Sequence, residues 1–253
     1  MPARRLSKAT PEIRVPLAPL GLEEGSIQFN LRKAIEAFWS TLEQQSSLTH
    51  AGDRGNRAGA TGGKQMDGVA ALLARTALTA GASPGSVHIR SRLELPGFFR
   101  PEKKWDFLVV EDGCLVAAAE LKSQIGPSFG NNFNNRSEEA IGSGLDLVDA
   151  FEKRPTPNGT TPWRGWMMLL EDSPRSRTPV RLKEPHFKAD SEFRRTSYAA
   201  RYAELCRRLV STRLYTASAL ILAPRSPRGE FHEPDPALGM LPFLNSLAKA
   251  CRR

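Results

Sequence analysis

Apolar positions along the chain switch repeatedly between a helical and an extended period. Ile27, Leu31, Ile35, Phe38 and Leu42 share one helical face and predict a helix from Ser26, its cap, to about Gln45. A second helix is expected from Met66 to Ala80, stopped by Gly81. From Ser86 to Leu95 the pattern alternates: Val87, Ile89, Leu93 and Leu95 face away from His88, Arg90, Arg92 and Glu94, as in a half-buried strand. Residues 105–110 and 114–122 then carry an almost unbroken apolar run, Leu108 to Val110 and Leu115 to Ala119, expected of strands covered on both faces. Ser137 is expected to cap a helix from Glu138 to about Lys153, with Ile141, Leu145, Val148 and Phe151 inward. A buried strand at Trp166–Leu170 follows, then a helix from Ser191 to about Val210, a strand from Leu214 to Ala223 and a helix from Leu238 to Ala250 despite Pro242. The order helix, three strands, helix, strand predicts an α/β fold with a mixed sheet. The first 25 residues, rich in Arg and Pro, read as a variable, partly mobile extension, and residues 26–253 as a single domain.

Charge interrupts the apolar run at only a few places, and those places hold the candidate chemistry. Asp106 opens the first of the paired strands, and Glu120 and Lys122 close the second. Alternate residues of a strand share a face, so Glu120 and Lys122 point the same way. Asp106 joins them only in one register. A two-residue loop at Asp112-Gly113 pairs Glu111 with Cys114 and sets Asp106 against Ala119, on the wrong face. A three-residue loop, Glu111 to Gly113, pairs Val110 with Cys114 and collects Asp106, Ala118, Glu120 and Lys122 on one face. The second register is expected, because a one-residue slip exchanges the faces completely. Two carboxylates on one face can hold Mg²⁺, whose water becomes a nucleophile, and a lysine beside them can orient that water and offset phosphate charge. The plainer reading, a hairpin with a solvated charged face, fits less well with so apolar a surrounding. Glu102 is a weaker rival for the first acid, Glu36 a remote helper, and Asp112 a turn residue.

An acid, a spacer and Glu-x-Lys form the pattern of the PD-(D/E)xK nucleases. The block ELKSQIGPSFGNNFNNRSEEAIG, with GKQMDG at residues 63–68, resembles the XhoI-type restriction endonucleases, from about residue 26 onward and most strongly at 105–145. Trp105 departs from that pattern, where Pro usually precedes the first acid. The resemblance implies a PD-(D/E)xK core and catalysis by Asp106, Glu120 and Lys122, with Mg²⁺ on the two acids. It also implies a cytoplasmic, prokaryotic homodimer cutting double-stranded DNA at the palindrome CTCGAG, alongside a cognate DNA methyltransferase. Gln124, Asn131, Asn132, Asn134, Asn135 and Arg136 offer base-reading chemistry beside the cutting site. Arg54, Arg57 and Lys64, in a Gly-rich stretch, are candidates for phosphate contact. A structure-selective repair nuclease of the same fold and a non-catalytic basic DNA-binding module are the alternatives.

Composition adds to this picture in three ways. Thirty-six Lys and Arg against 27 Asp and Glu give 253 residues a net charge of +9, suited to a polyanionic partner. Cys114, Cys206 and Cys251 are scattered and the four histidines isolated, with none of the spacing of a zinc site. No apolar run is long enough to span a membrane and no secretory leader is read.

Overall fold

A computed structural model describes residues 22–50, 64–153 and 161–252. Most of the N-terminal extension, with Arg54 and Arg57, lies outside the described residues. The elements are α1 (Glu24–His50), α2 (Asp67–Thr79), β1 (Val87–His88), β2 (Glu94–Leu95), β3 (Lys103–Lys104), β4 (Phe107–Glu111), β5 (Cys114–Gln124), α3 (Phe129–Lys153), β6 (Trp163–Glu171), α4 (Pro174–Arg177), α5 (Tyr198–Ser211), β7 (Ala217–Ala223) and α6 (Met240–Cys251). One mixed sheet runs β1-β4-β5-β6-β7, antiparallel from β1 to β5 and parallel from β5 to β7; β2 and β3 pair separately.

The sheet separates two apolar layers. Phe107, Val109, Ala117, Ala119 and Leu121 join the core under α1, α2 and α6. Leu108, Ala118, Trp166, Met168 and Leu170 face the other way, into the layer of α3 and α5. Burial on both sides explains why all nine residues of β6 are buried and why its sequence shows no alternation. Pro242 is tolerated because it falls in the first turn of α6, where backbone N–H groups have no helical partner. Among the described residues no helix is long and apolar enough to cross a membrane.

Four expectations are corrected. α1 begins at Glu24 and runs to His50, longer than its apolar stripe. The Ser86–Leu95 strand is broken into β1 and β2, with Arg92 between them at φ 59, a left-handed conformation that ends a strand. α3 begins at Phe129 rather than near Glu138: Phe129 stacks on Tyr198 at 5.8 Å and Phe133 meets Tyr202 edge-on at 5.0 Å, so packing overrides the weak helix propensity of the Asn-rich segment. Its inward residues are Ala140, Ser143, Gly144, Leu147 and Ala150, while Ile141 and Leu145 face out. Close approach decides this face. A Cβ on Gly144 would sit 2.8 Å from the Tyr215 ring, and Ala140 takes the Tyr215 hydroxyl on its carbonyl at 3.0 Å.

The hairpin is the fourth correction, and it positions the site. The turn is the two-residue one: Asp112 and Gly113 both have positive φ (51 and 75), as a type I′ turn requires, and Glu111 pairs with Cys114. That register alone would set Asp106 on the wrong face. A bulge restores the even one. Val110 pairs with Leu115, but Val109 pairs with Ala117, leaving Val116 as the extra residue, and Leu108 and Phe107 then oppose Ala118 and Ala119.

Candidate active site

Glu120 lies opposite Trp166 of β6 and is 1% exposed. Its Oε1 accepts from two ammonium groups, Lys122 Nζ and Lys103 Nζ, each at 2.8 Å. Burial pushes its carboxyl up, but Lys122 and then Lys103 pull harder, and the net shift is downward. Glu120 is therefore held ionised, a buried charge matched by close partners. Tyr215 stands behind it, its hydroxyl 3.4 Å from Oε2, kept protonated by burial first and by the Glu120 charge second.

Asp106 leaves the ladder just before β4. Its N–H donates to the Ala119 carbonyl at 3.2 Å and its Oδ2 accepts the Leu121 N–H at 2.8 Å. That bond swings the carboxylate across the end of β5, toward the motif. Burial raises its pKa, Lys122 and the Leu121 N–H lower it, Glu120 raises it, and the net shift is upward. The two carboxyls thus shift in opposite directions, Glu120 down and Asp106 up. Asp106 and Lys122 line one cleft of about 340 Å³ with Phe38, Gln65, Asn132 and Arg136.

Two neighbours of Glu120 were missed in the sequence. Lys103, 13% exposed in its side chain, packs over the Trp105 ring at 5.0 Å. In PEKKWD it reads as one of two surface lysines, and only the short β2–β3 pair turns it inward. Tyr215 lies 95 residues beyond Glu120 along the chain, and only the fold brings it to the motif.

The proposed DNA-contacting residues divide. Asn132 and Arg136, one helical turn apart, face the cleft. Asn131 borders a neighbouring opening with Arg175 and Tyr198, while Asn134 and Asn135 are exposed farther along. Lys64 is exposed just ahead of α2, next to cleft-lining Gln65. Gln124 lines the same cleft but is 3% exposed, and its Nε2 donates to the Phe129 carbonyl at 3.0 Å while Tyr202 donates to its Oε1. Each end of the amide thus holds a protein partner. Its position ties the end of β5 to the first turn of α3. Gln124→Leu is expected to lower stability by about 1–3 kcal/mol, since it orphans buried groups, and to leave any base preference unaltered. Denaturant unfolding alongside cleavage of altered sites checks both.

A second brace holds the connection from β5 to α3. Glu171 Oε2 accepts the Gly126 N–H at 2.7 Å, and Arg225 Nε donates to Oε1 at 2.8 Å. Burial raises this carboxyl, but Arg225 and the Gly126 N–H outweigh it and the net shift is downward. The stabilisation is therefore complete above the ordinary value of 4.5 and lost as pH falls through the lower folded-state value. Glu171→Gln is expected to cost about 1–2 kcal/mol at neutral pH and progressively less in acid, a difference that unfolding midpoints at both pH values will register.

Carboxylate oxygens are the donors a hard divalent cation takes: Asp106 lines the cleft, and Glu120, 1% exposed behind it, would exchange a lysine contact for the ion. Among the described residues no cluster of three or more His, Cys, Asp or Glu is found. Mg²⁺ suits such a pair, because it commonly takes one or two carboxylates and completes its shell with water and phosphate oxygens.

A family model described as restriction endonuclease XhoI matches residues 44–233. The type II restriction enzyme BstVI of Geobacillus stearothermophilus is 47% identical over 202 residues, covering 77% of this chain and 90% of that protein. XhoI of Xanthomonas vasicola is 42% identical over 185 residues, 71% of this chain and 73% of the other, and AbrI of Azospirillum brasilense 41% identical over 179, 69% and 80%. No solved structure matches. The match spans the hairpin, most of the cleft lining and the parallel strands β5 to β7, and the chain belongs to the XhoI restriction endonuclease family.

Proposed function

We propose that the chain is an Mg²⁺-dependent type II restriction endonuclease that cuts both strands of DNA at the palindrome CTCGAG as a homodimer, residues 26–253 acting as one nuclease domain. The observation that carries this reading is a cleft lined by Asp106, Lys122, Asn132 and Arg136, with Glu120 buried directly behind Lys122 at 2.8 Å. Asp106 and Glu120 would hold the ion, which supplies an activated water and polarises the scissile phosphate. Lys122 stays within 2.8 Å of Glu120 and 20% exposed, so its ammonium can orient the attacking water and donate to a phosphate oxygen. Lys103 offsets the same charge from the opposite side. As the water oxygen bonds to phosphorus, the bond to the departing sugar oxygen breaks, leaving one phosphate end and one hydroxyl end. A palindrome mirrors a twofold protein, so two copies meet the two strands in equivalent ways.

Digestion of a plasmid carrying one CTCGAG site, with Mg²⁺ or with EDTA, and sequencing of the ends tests the reading. Ends confined to CTCGAG and absent with EDTA are expected. Cutting without a fixed sequence, or only at branched DNA, overturns it. Asn132→Ala is expected to reduce discrimination between CTCGAG and one-base-altered sites by about 1–3 kcal/mol, read from relative kcat/KM. An equal loss on every duplex would make Asn132 a phosphate contact instead.

A further inference from the structure

Among the described residues, nothing accounts for the outer face of α3. Ile141 is 47% exposed and Leu145, one turn on, 41%. Gly142 lies beside them, where a Cβ would meet nothing within 4 Å. Glycine is among the poorest residues for a helix interior, and among the described residues no neighbour requires it there. Gly144, by contrast, is needed for the Tyr215 ring.

A loop docked on α3 extends this surface. Asp146 Oδ1 accepts the N–H groups of Phe98 and Phe99 at 2.8 and 2.7 Å, and its Oδ2 accepts Arg100 Nε at 2.7 Å. The anchored loop holds both rings outward, 42% and 66% exposed, edge to face at 4.9 Å. For side chains of this size the four exposed residues present on the order of 400 Å², within the range of patches that mark interaction sites.

DNA is a poor occupant. α3 carries five carboxylates against two cations, on a chain whose net charge is +9. A polyanion is drawn to the basic remainder of the surface rather than to this face, while pairing of Asp146, Glu139 and Asp149 with Arg100, Arg136 and Lys153 limits repulsion of a second copy.

We infer that this face is a twofold interface with a second copy of the chain, the two α3 helices crossing at Gly142. The inference rests on the homodimer reading and names its surface. Bare Gly142 lets the partner helix come close, and Ile141, Leu145, Phe98 and Phe99 form the apolar centre. That centre supplies about half of the roughly 800 Å² per partner of a standard interface, leaving the remainder to a polar rim. Such a rim is present in Glu138, Lys153 and Arg100. Arg136 in the cleft lies five residues before Ile141, about 8 Å along the helix axis, so a crossing here draws the two cutting sites toward one duplex.

Analytical ultracentrifugation of the full chain, of Leu145→Glu and of Gly142→Leu tests this. The unsubstituted protein is expected to be a dimer, and each variant to dissociate about tenfold more readily or worse, as loss of a central contact does. On plasmid DNA the variants are expected to accumulate nicked circles where the unsubstituted protein makes linear DNA. Gly142→Leu guards against a folding artefact: in monomer at high dilution its melting temperature is expected to hold or rise, while dimerisation weakens. If the unsubstituted protein is dimeric and both variants dimerise unchanged, the interface is overturned and the homodimer reading stands. If the unsubstituted protein is monomeric with and without duplex, both fall.

Discussion

Glu120→Gln is expected to slow single-turnover cleavage by at least about 10²–10³-fold, the loss seen when one preorganised electrostatic group is removed from a hydrolytic site. The substitution keeps the side chain's shape and removes its charge. Binding to duplex DNA is expected to persist or tighten, because one negative charge is withdrawn from beside a phosphate. Stability should also fall at neutral pH. Oε1 is the shared counter-charge of Lys122 and Lys103, each 2.8 Å away, and breaking such an arrangement leaves two ammonium groups short of a partner. Those ammonium groups are 20% and 13% exposed, so both can turn partly to water, and the cost stays below that of a sealed pair. The sign with pH follows from the lowered Glu120 pKa: its contribution is full above the ordinary value of 4.5 and disappears as pH falls through the folded-state value. The difference in unfolding free energy between Glu120→Gln and the unsubstituted protein should therefore close in acid. Equal cleavage rates would remove Glu120 from the chemistry.

Lys122→Met is expected to lower the same rate by about 10²–10³-fold, for a different reason. The methionine retains the length of the side chain and takes away the cation that acts most strongly on both acids. Lys122 is the strongest influence after burial on Asp106 and on Glu120 alike, in each case favouring the ionised form. Without it the Asp106 carboxyl, already raised by burial, should rise further, and the acidic limb of the pH–rate profile should move to higher pH. Lys103→Met supplies the comparison. Lys103 affects Glu120 strongly and Asp106 least of the groups acting on it, so its loss should leave that limb nearer its original place. Identical profiles for the two variants would show that the lysines act only as interchangeable counter-charges.

Much of the fold was legible because the apolar runs are long and their ends abrupt. β4, β5 and β6 are visible as strands in residues 105–122 and 166–170, the last shorter than the observed Trp163–Glu171, and α6 as a helix, from period and length alone. The bulge at Val116 was not. In a strand covered on both faces every position is apolar, so an extra residue leaves no trace in the pattern. Asp112-Gly113 pointed to the turn that forms, and a three-residue loop was preferred only because the acid needed the other face; Val116 resolves that conflict within the strand. The outward turn of Ile141 and Leu145 was hidden because helical period alone does not say which of two stripes is buried, and the small stripe of Ala140, Ser143 and Gly144 won through Tyr215. Gln124 shows the reverse limit: an amide beside a catalytic motif has the chemistry of a base reader, and only its partners Phe129 and Tyr202 reveal a brace.

Calorimetric titration of Ca²⁺, a hard oxygen-seeking ion, into the duplex-bound protein asks whether the acids at 106 and 120 act on one cation. Uptake by the unsubstituted complex is predicted, lost or strongly weakened both in Asp106→Asn and in Glu120→Gln. Undiminished uptake in either variant would contradict a shared site at the end of β5.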